Sequence, residues 1–200
     1  MNKNKSTLFY TPYTPPWLKW LTPEIFYDEK LFRIVIFYVF HNPCAGLSVM
    51  SKSLSDYNWS NPFGKPFYLN KHLKDVSNSE KLVFPADNYE NILEQLEKAD
   101  LKDNFPSNLS RERIVMHDNK RNHYMSIFYH IRNSLAHGRM NIVDVDGECI
   151  FILEDVNGRR KNNNGELAVS ARMIIKRDTL LKWIDIIEMG EKEYKKKVKN

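Results

Sequence analysis

Cysteine is scarce in this chain of 200 residues, and its two cysteines, Cys44 and Cys149, lie far apart. They form no C-x-x-C pair, so neither a disulfide framework nor a cysteine zinc site is expected. Long apolar runs are also missing: the most apolar stretch, residues 31–40, has about half of the ~20 residues that a membrane-spanning helix needs. The first residues contain no uninterrupted apolar segment before their prolines, which argues against a secretory signal. We therefore expect a cytoplasmic protein without a membrane partner.

The motifs of several common enzyme classes are absent from the sequence. It contains no G-x-x-x-x-G-K-[ST] phosphate-binding loop, no G-x-G-x-x-G fingerprint, no H-E-x-x-H and no G-x-S-x-G. What is present is a globular composition, with 42% hydrophobic and 28% charged residues. The net charge of +5 is compatible with an anionic partner such as a nucleic acid.

The spacing of apolar residues predicts a single domain over residues 1–200, in which an irregular, proline-rich arm (1–23) precedes the first helix. Thr22 and Pro23 have the residue types preferred at the start of that helix. Residues 56–85 have no clear period and are predicted to be mostly loop. Five helices are predicted in total, at residues 22–41, 85–101, 108–118, 119–137 and 177–197.

After Gly138 the sequence changes to the pattern of β-strands. Asp146-Gly147 separates two apolar stretches and is a strong signal for a tight hairpin. A polar, basic loop (156–166) and a third strand follow before the last helix. The predicted fold class is α+β, mainly α: an antiparallel helical bundle with a small antiparallel sheet, about residues 140–175, inserted before the C-terminal helix.

The helix predicted at 119–137 carries a stripe of polar residues. At 100° per residue, its members lie close to one line along the helix: Asn119, Asn122, His123, Ser126, His130, Asn133 and His137. No Lys, Asp or Glu occurs between residues 121 and 137. Such a stripe is either a solvated face or, because it is uncharged, a cleft or the seam of a symmetric dimer. Gly138 is predicted to be the left-handed residue that ends this helix.

Residues 132–137, Arg-Asn-Ser-Leu-Ala-His, resemble the R-x4-6-H motif of the HEPN superfamily, in the form with a polar residue after the arginine. The motif ends a long helix and precedes a β-hairpin, as in one prokaryotic HEPN subfamily. The resemblance is best over residues 86–190 and weak over 1–85. It implies a HEPN-like helical bundle that forms a homodimer and acts as an RNA-cleaving toxin or phage-defence effector without metal or cofactor. It also implies an antitoxin or other neutralising protein as a partner.

By this resemblance, Arg132, Asn133 and His137 are the catalytic residues. Cleavage of RNA without a metal requires a base for the 2′-hydroxyl, an acid for the leaving oxygen and a cation for the phosphorane. His137 from each of two chains would supply the base and the acid, Arg132 the cation, and Asn133 would orient the histidine or the phosphate. The nearest carboxylate before the helix, Asp118, lies roughly 30 Å from His137 at ~1.5 Å per residue, so no magnesium site is expected.

Other polar residues receive lesser roles. His130 and His123 lie on the polar stripe and are accessory candidates, with hydrogen bonding inside a seam as the alternative. Four basic residues are predicted to contact RNA, with a solvated loop as the alternative for the last three: Arg139, Arg159, Arg160 and Lys161. The alternative function is a non-catalytic HEPN module that binds nucleotide or RNA, or scaffolds a partner protein.

Overall fold

The computed structural model describes residues 8–13, 18, 28–44, 50–60, 68–77, 83–103, 108–118 and 122–199. Its strands are β1 (Tyr10–Thr11), β2 (Val83–Ala86), β3 (Arg113–His117), β4 (Met140–Val145), β5 (Glu148–Lys161) and β6 (Leu167–Lys176). Its α-helices are α1 (Glu29–Val35), α2 (Tyr68–Asp75), α3 (Ile92–Lys98), α4 (His123–Ala136) and α5 (Arg177–Lys199). A π-helix (Ile36–His41) continues α1, and short 3-10 helices occur at Leu54–Tyr57 and Tyr89–Asn91. No helix in these ranges combines the length and the hydropathy needed to cross a membrane.

The strands form one mixed sheet in the order β2-β3-β6-β5-β4, with β1 also paired to β6. β2 and β3 are parallel, and the other described pairs are antiparallel. The β4–β5 hairpin turns at Asp146 and Gly147, whose φ angles of 53° and 81° are those of a type I′ turn. Asp144 closes the turn by accepting a hydrogen bond from the Gly147 N–H at 2.9 Å. The predicted hairpin is confirmed.

The two faces of the sheet bury different helices. Successive residues of β5 point to opposite sides, so Phe151 and Leu153 join a large core with α1, α2, α4 and α5. Ile150 and Ile152 join a smaller core with α3 on the other face. The α+β class is therefore confirmed. The sheet is larger than the predicted insertion at 140–175, because β1, β2 and β3 extend it.

Three segments differ from the prediction. Residues 113–117 form β3 and not part of a short helix; four of the five are buried because both faces of the sheet are covered, which removes the usual alternation. Residues 56–85 were predicted to be mostly loop, but their described part contains α2, which buries Leu69 and Leu73. The predicted loop at 156–166 is shorter, because β5 continues to Lys161.

The start of the first helix also differs. α1 begins at Glu29, and the Asp28 side chain caps it by accepting a hydrogen bond from the Lys30 N–H at 2.7 Å. Thr22 and Pro23, the residues predicted to begin this helix, lie outside the described residues, as does most of the arm.

Side chains from two other segments fix the position of α4. Asn42, which follows the π-helix, donates to the carbonyl of Phe128 at 2.8 Å. The ring of Trp183 in α5 packs edge-on against Tyr124, with 5.7 Å between ring centroids. The first turn of α4 is capped by its own N-cap residue, Asn122, whose side-chain oxygen accepts from the Tyr124 N–H at 2.9 Å. The helix lies so that Ser126, His130 and Asn133 face β5 and the end of β3.

Candidate active site

The C-terminal end of α4 has the predicted geometry. His137 is the C-cap residue, and Gly138 follows with a left-handed φ of 64°. The N–H groups of Gly138 and Arg139 donate to the carbonyls of Leu135 (3.2 Å) and Ser134 (2.8 Å), which is the Schellman pattern. This turn leaves the His137 side chain exposed at the C-terminal end of the helix.

Arg132 and Asn133 form one hydrogen-bonded unit near this helix end. The angle of 100° per residue places Arg132 at the margin of the apolar face, but its long side chain curls towards the polar side. There its Nη1 donates to Asn133 Oδ1 at 3.1 Å. The Asn133 amide nitrogen donates in turn to Asp155 Oδ2 at 3.3 Å. The unit is therefore anchored to β5, and both motif residues are half-buried.

His130 lies one turn earlier and is 1% exposed. Its Nδ1 is 2.7 Å from Asp155 Oδ2, and its Nε2 is 2.8 Å from the carbonyl oxygen of His117. Asp155 Oδ1 accepts a further hydrogen bond from the Val156 N–H at 2.9 Å. His130, an accessory candidate, is thus in the hydrogen-bonding role given as its alternative, because a ring buried on both nitrogens cannot touch a substrate.

An aromatic stack extends from this network towards the end of β5. The His117 ring stacks on Tyr89, with 4.2 Å between centroids, and the guanidinium carbon of Arg160 lies 4.6 Å above the Tyr89 ring. Burial lowers the pKa of His117, and the charge of His130 lowers it further. Asn157 holds the Tyr89 hydroxyl with a hydrogen bond of 3.1 Å. Arg160 is therefore a positioned cation and not only a solvated one.

The four basic residues predicted to bind RNA are in two different environments. Arg159, Arg160 and Lys161 are exposed at the end of β5. Arg139 is 7% exposed and donates to Glu154 and, at 2.9 Å, to the carbonyl of Tyr13. The prediction for Arg139 is wrong, because its guanidinium is already buried in an ion pair inside the chain.

Two residues in the middle of the polar stripe face the sheet. Ser126 is fully buried and donates to Asp118 Oδ1 at 2.5 Å, and His130 is buried on Asp155 as described. These two side chains are therefore covered within the chain, and dimerisation stays a prediction. His123 pairs with the other oxygen of Asp118 at 2.6 Å; it lies fourteen residues before His137, roughly 21 Å along the helix, and is not part of the same site. Asn119 lies outside the described residues.

Asp155 was not predicted as a site residue. It is distant from the motif in sequence, and β5 brings its carboxylate directly against Asn133. One feature of the sequence could have indicated its role: Asp155 lies within the largely apolar stretch 150–156, and a buried carboxylate requires polar partners. Within the described ranges, no group of three or more His, Cys, Asp or Glu side chains is arranged to hold a metal ion.

Comparison with known proteins gives one result. Residues 42–192 match the family model described as HEPN pEK499 p136. The matched region includes α4 with its motif and all strands from β2 to β6, and it begins well before residue 86. No curated protein and no solved structure gives a significant match.

Proposed function

The chain belongs to the HEPN pEK499 p136 family, and we propose that it is an endoribonuclease that cuts RNA without a metal ion at the end of α4. HEPN membership by itself indicates a nuclease or RNA-binding role in general. One observation carries the finer proposal: Arg132 is held on Asn133 at 3.1 Å one turn before an exposed His137. These are the cation and the proton-transfer group that the reaction needs.

In the proposed reaction, the His137 imidazole removes the proton of an RNA 2′-hydroxyl. The 2′-oxygen attacks the adjacent phosphorus, and the bond from phosphorus to the 5′-oxygen breaks. A second imidazole protonates the leaving 5′-oxygen, and we assign it to His137 of a second copy of the chain. Arg132 stabilises the charge of the phosphorane. The products are a 2′,3′-cyclic phosphate and a 5′-hydroxyl.

The RNA strand would run from the motif towards the end of β5. The two places are linked through neighbouring residues: Asp155 contacts Asn133, and Asn157, two residues later, contacts Tyr89 beneath Arg160. Arg159 and Lys161 flank Arg160 and are exposed. Cations in such a row neutralise successive phosphates and supply affinity that does not depend on sequence.

We further propose that this cleavage arrests growth, as in a toxin or a phage-defence effector, and that a second protein neutralises it. Family membership supports this role. Controlled expression in cells tests it: the wild type should stop growth and degrade RNA, and His137→Ala should do neither at equal protein levels. A wild type that accumulates without slowing growth would contradict the toxin role.

The enzymatic proposal is tested with purified protein and RNA in EDTA. His137→Ala should lower the cleavage rate by about 10²–10⁴-fold, the range for a lost acid–base group. The matched control is His41→Ala, which removes another histidine at a helix end outside the site and should leave the rate unchanged. Circular dichroism melting of each variant checks that all are folded. A wild type that binds uncleavable 2′-O-methyl RNA but leaves ordinary RNA intact would favour the binding module.

A further inference from the structure

Asp155 is a carboxylate in an unusual place. It is 3% exposed on β5, next to the apolar residues of two cores. A carboxylate buried in this way is costly unless charged or polar partners satisfy it. Asp155 has three such partners, the His130 ring, the Asn133 amide and the Val156 N–H.

His130 holds this carboxylate from one side. The carbonyl oxygen of His117, 2.8 Å from Nε2, can only accept a hydrogen bond, so Nε2 carries a hydrogen. Nδ1 lies 2.7 Å from Asp155 Oδ2, and one proton lies between these two atoms. The ring is therefore fixed at both nitrogens, and Asp155 is fixed by the ring.

The same carboxylate selects the orientation of the Asn133 amide. Asp155 Oδ2, already bonded by His130, can only accept, so the Asn133 amide nitrogen must face it. The amide oxygen then faces Arg132, which can only donate. With the amide turned over, its NH₂ group would meet the guanidinium donor to donor, and its oxygen would meet the carboxylate.

We propose that Asp155 is a positioning residue of this active site, which fixes the amide of Asn133 and, through it, the guanidinium of Arg132. The inference rests on the proposed RNA cleavage. Asp155 touches neither the RNA nor His137; it acts through Asn133 alone. His130 keeps the carboxylate in place.

Kinetics of Asp155→Asn test this role. The variant should lower kcat on the order of a hundredfold, the scale of a misplaced catalytic group, while KM changes by less than about threefold. Adding Asn133→Ala to Asp155→Asn should cost little more, since residues that act through one another are non-additive. The matched control is Glu112→Gln, which neutralises another buried carboxylate, one bonded to the Lys176 N–H, and should leave kcat unchanged. The proposal would be overturned by an unchanged kcat in Asp155→Asn. It would also be overturned if the fold-decrease in kcat of the double variant equalled the product of the fold-decreases of the two single variants.

A second measurement needs no catalysis. Nitrogen NMR of the histidine rings in the wild type should show a hydrogen on Nε2 of His130, which faces the carbonyl oxygen of His117. Because this uses the wild type, it applies even where Asp155→Asn does not fold. A His130 ring without a hydrogen on Nε2, in an enzyme that cuts RNA, would overturn this inference and leave the proposed function standing. A His130 ring with this hydrogen, in a protein that cuts no RNA, would preserve the hydrogen-bond network but remove both the proposed function and the positioning role.

Discussion

Glu154 and Asp155 are neighbours on β5, and each is a buried carboxylate that holds basic or amide side chains on its own face of the sheet. Glu154 pairs with Arg139 and Arg172, and all three side chains are buried. Arg172 also donates to main-chain carbonyls just after α3, at 2.8–3.2 Å. The cluster around Glu154 is closed to solvent, and its charged groups bond to one another and to main-chain carbonyls.

The cluster around Asp155 also contains a buried carboxylate, but it reaches side chains that are exposed to solvent. It starts with a buried pair to His130, continues through Asn133 to a half-buried Arg132, and borders the exposed His137. The two clusters therefore have similar residue types and different exposure. A polar cluster that is wholly buried contributes to stability. A buried polar cluster that bonds to a partly exposed side chain can instead hold that side chain in position for catalysis.

The largest expected effect on stability is at the closed cluster. Glu154→Gln leaves Arg139 and Arg172 buried without their counter-charge, so the free energy of unfolding should fall by about 3–5 kcal/mol. The control on the same strand is Glu148→Gln, where an exposed carboxylate pairs with Lys176 and the loss should be below about 1 kcal/mol. Urea unfolding followed by circular dichroism measures both. Equal decreases in the free energy of unfolding of the two variants would show that the closed cluster has no special structural role.

A smaller effect is expected at Arg160. Arg160→Ala removes a cation that lies on Tyr89, so RNA affinity should drop and the dependence of log K on log salt should lessen by about one unit. Arg160→Lys should keep the salt dependence but lose part of the affinity, because an ammonium stacks less well than a guanidinium. Lys182→Ala, a change of the same charge on an exposed part of α5, is the control. Fluorescence anisotropy with uncleavable 2′-O-methyl RNA gives these values, and identical curves for Arg160→Ala and Lys182→Ala would contradict the proposed RNA path.

Local signals were enough to predict the end of α4 and the β4–β5 hairpin. Gly138 and Asp146-Gly147 are positive-φ turns that neighbouring residues specify. The α+β class and the HEPN resemblance also followed from local pattern and motif. The link from α4 to Asp155 did not, because it joins Asn133 to a residue 22 positions away and depends on how α4 lies on the sheet.

Tertiary packing also explains why the prediction for Arg139 was wrong. Arg139 and Arg160 are both arginines beside polar or turn residues, and nothing local distinguishes them. Burial against Glu154 makes the first structural, and the position of the second at the exposed end of β5 leaves it available. The direction of the polar stripe was likewise not predictable, because it depends on Asp118, which follows β3, and on Asp155 of β5.

The most direct test of RNA cleavage by 2′-hydroxyl attack is an analysis of the product ends. An RNA oligonucleotide is incubated with the wild type in EDTA, and the fragments are identified by mass spectrometry. A second oligonucleotide has a single 2′-deoxy sugar at the nucleotide that is cut. We expect 2′,3′-cyclic phosphate and 5′-hydroxyl ends, with no cleavage at the deoxy position. Fragments with 5′-phosphate ends, or cleavage at the deoxy sugar, would contradict attack by the 2′-hydroxyl.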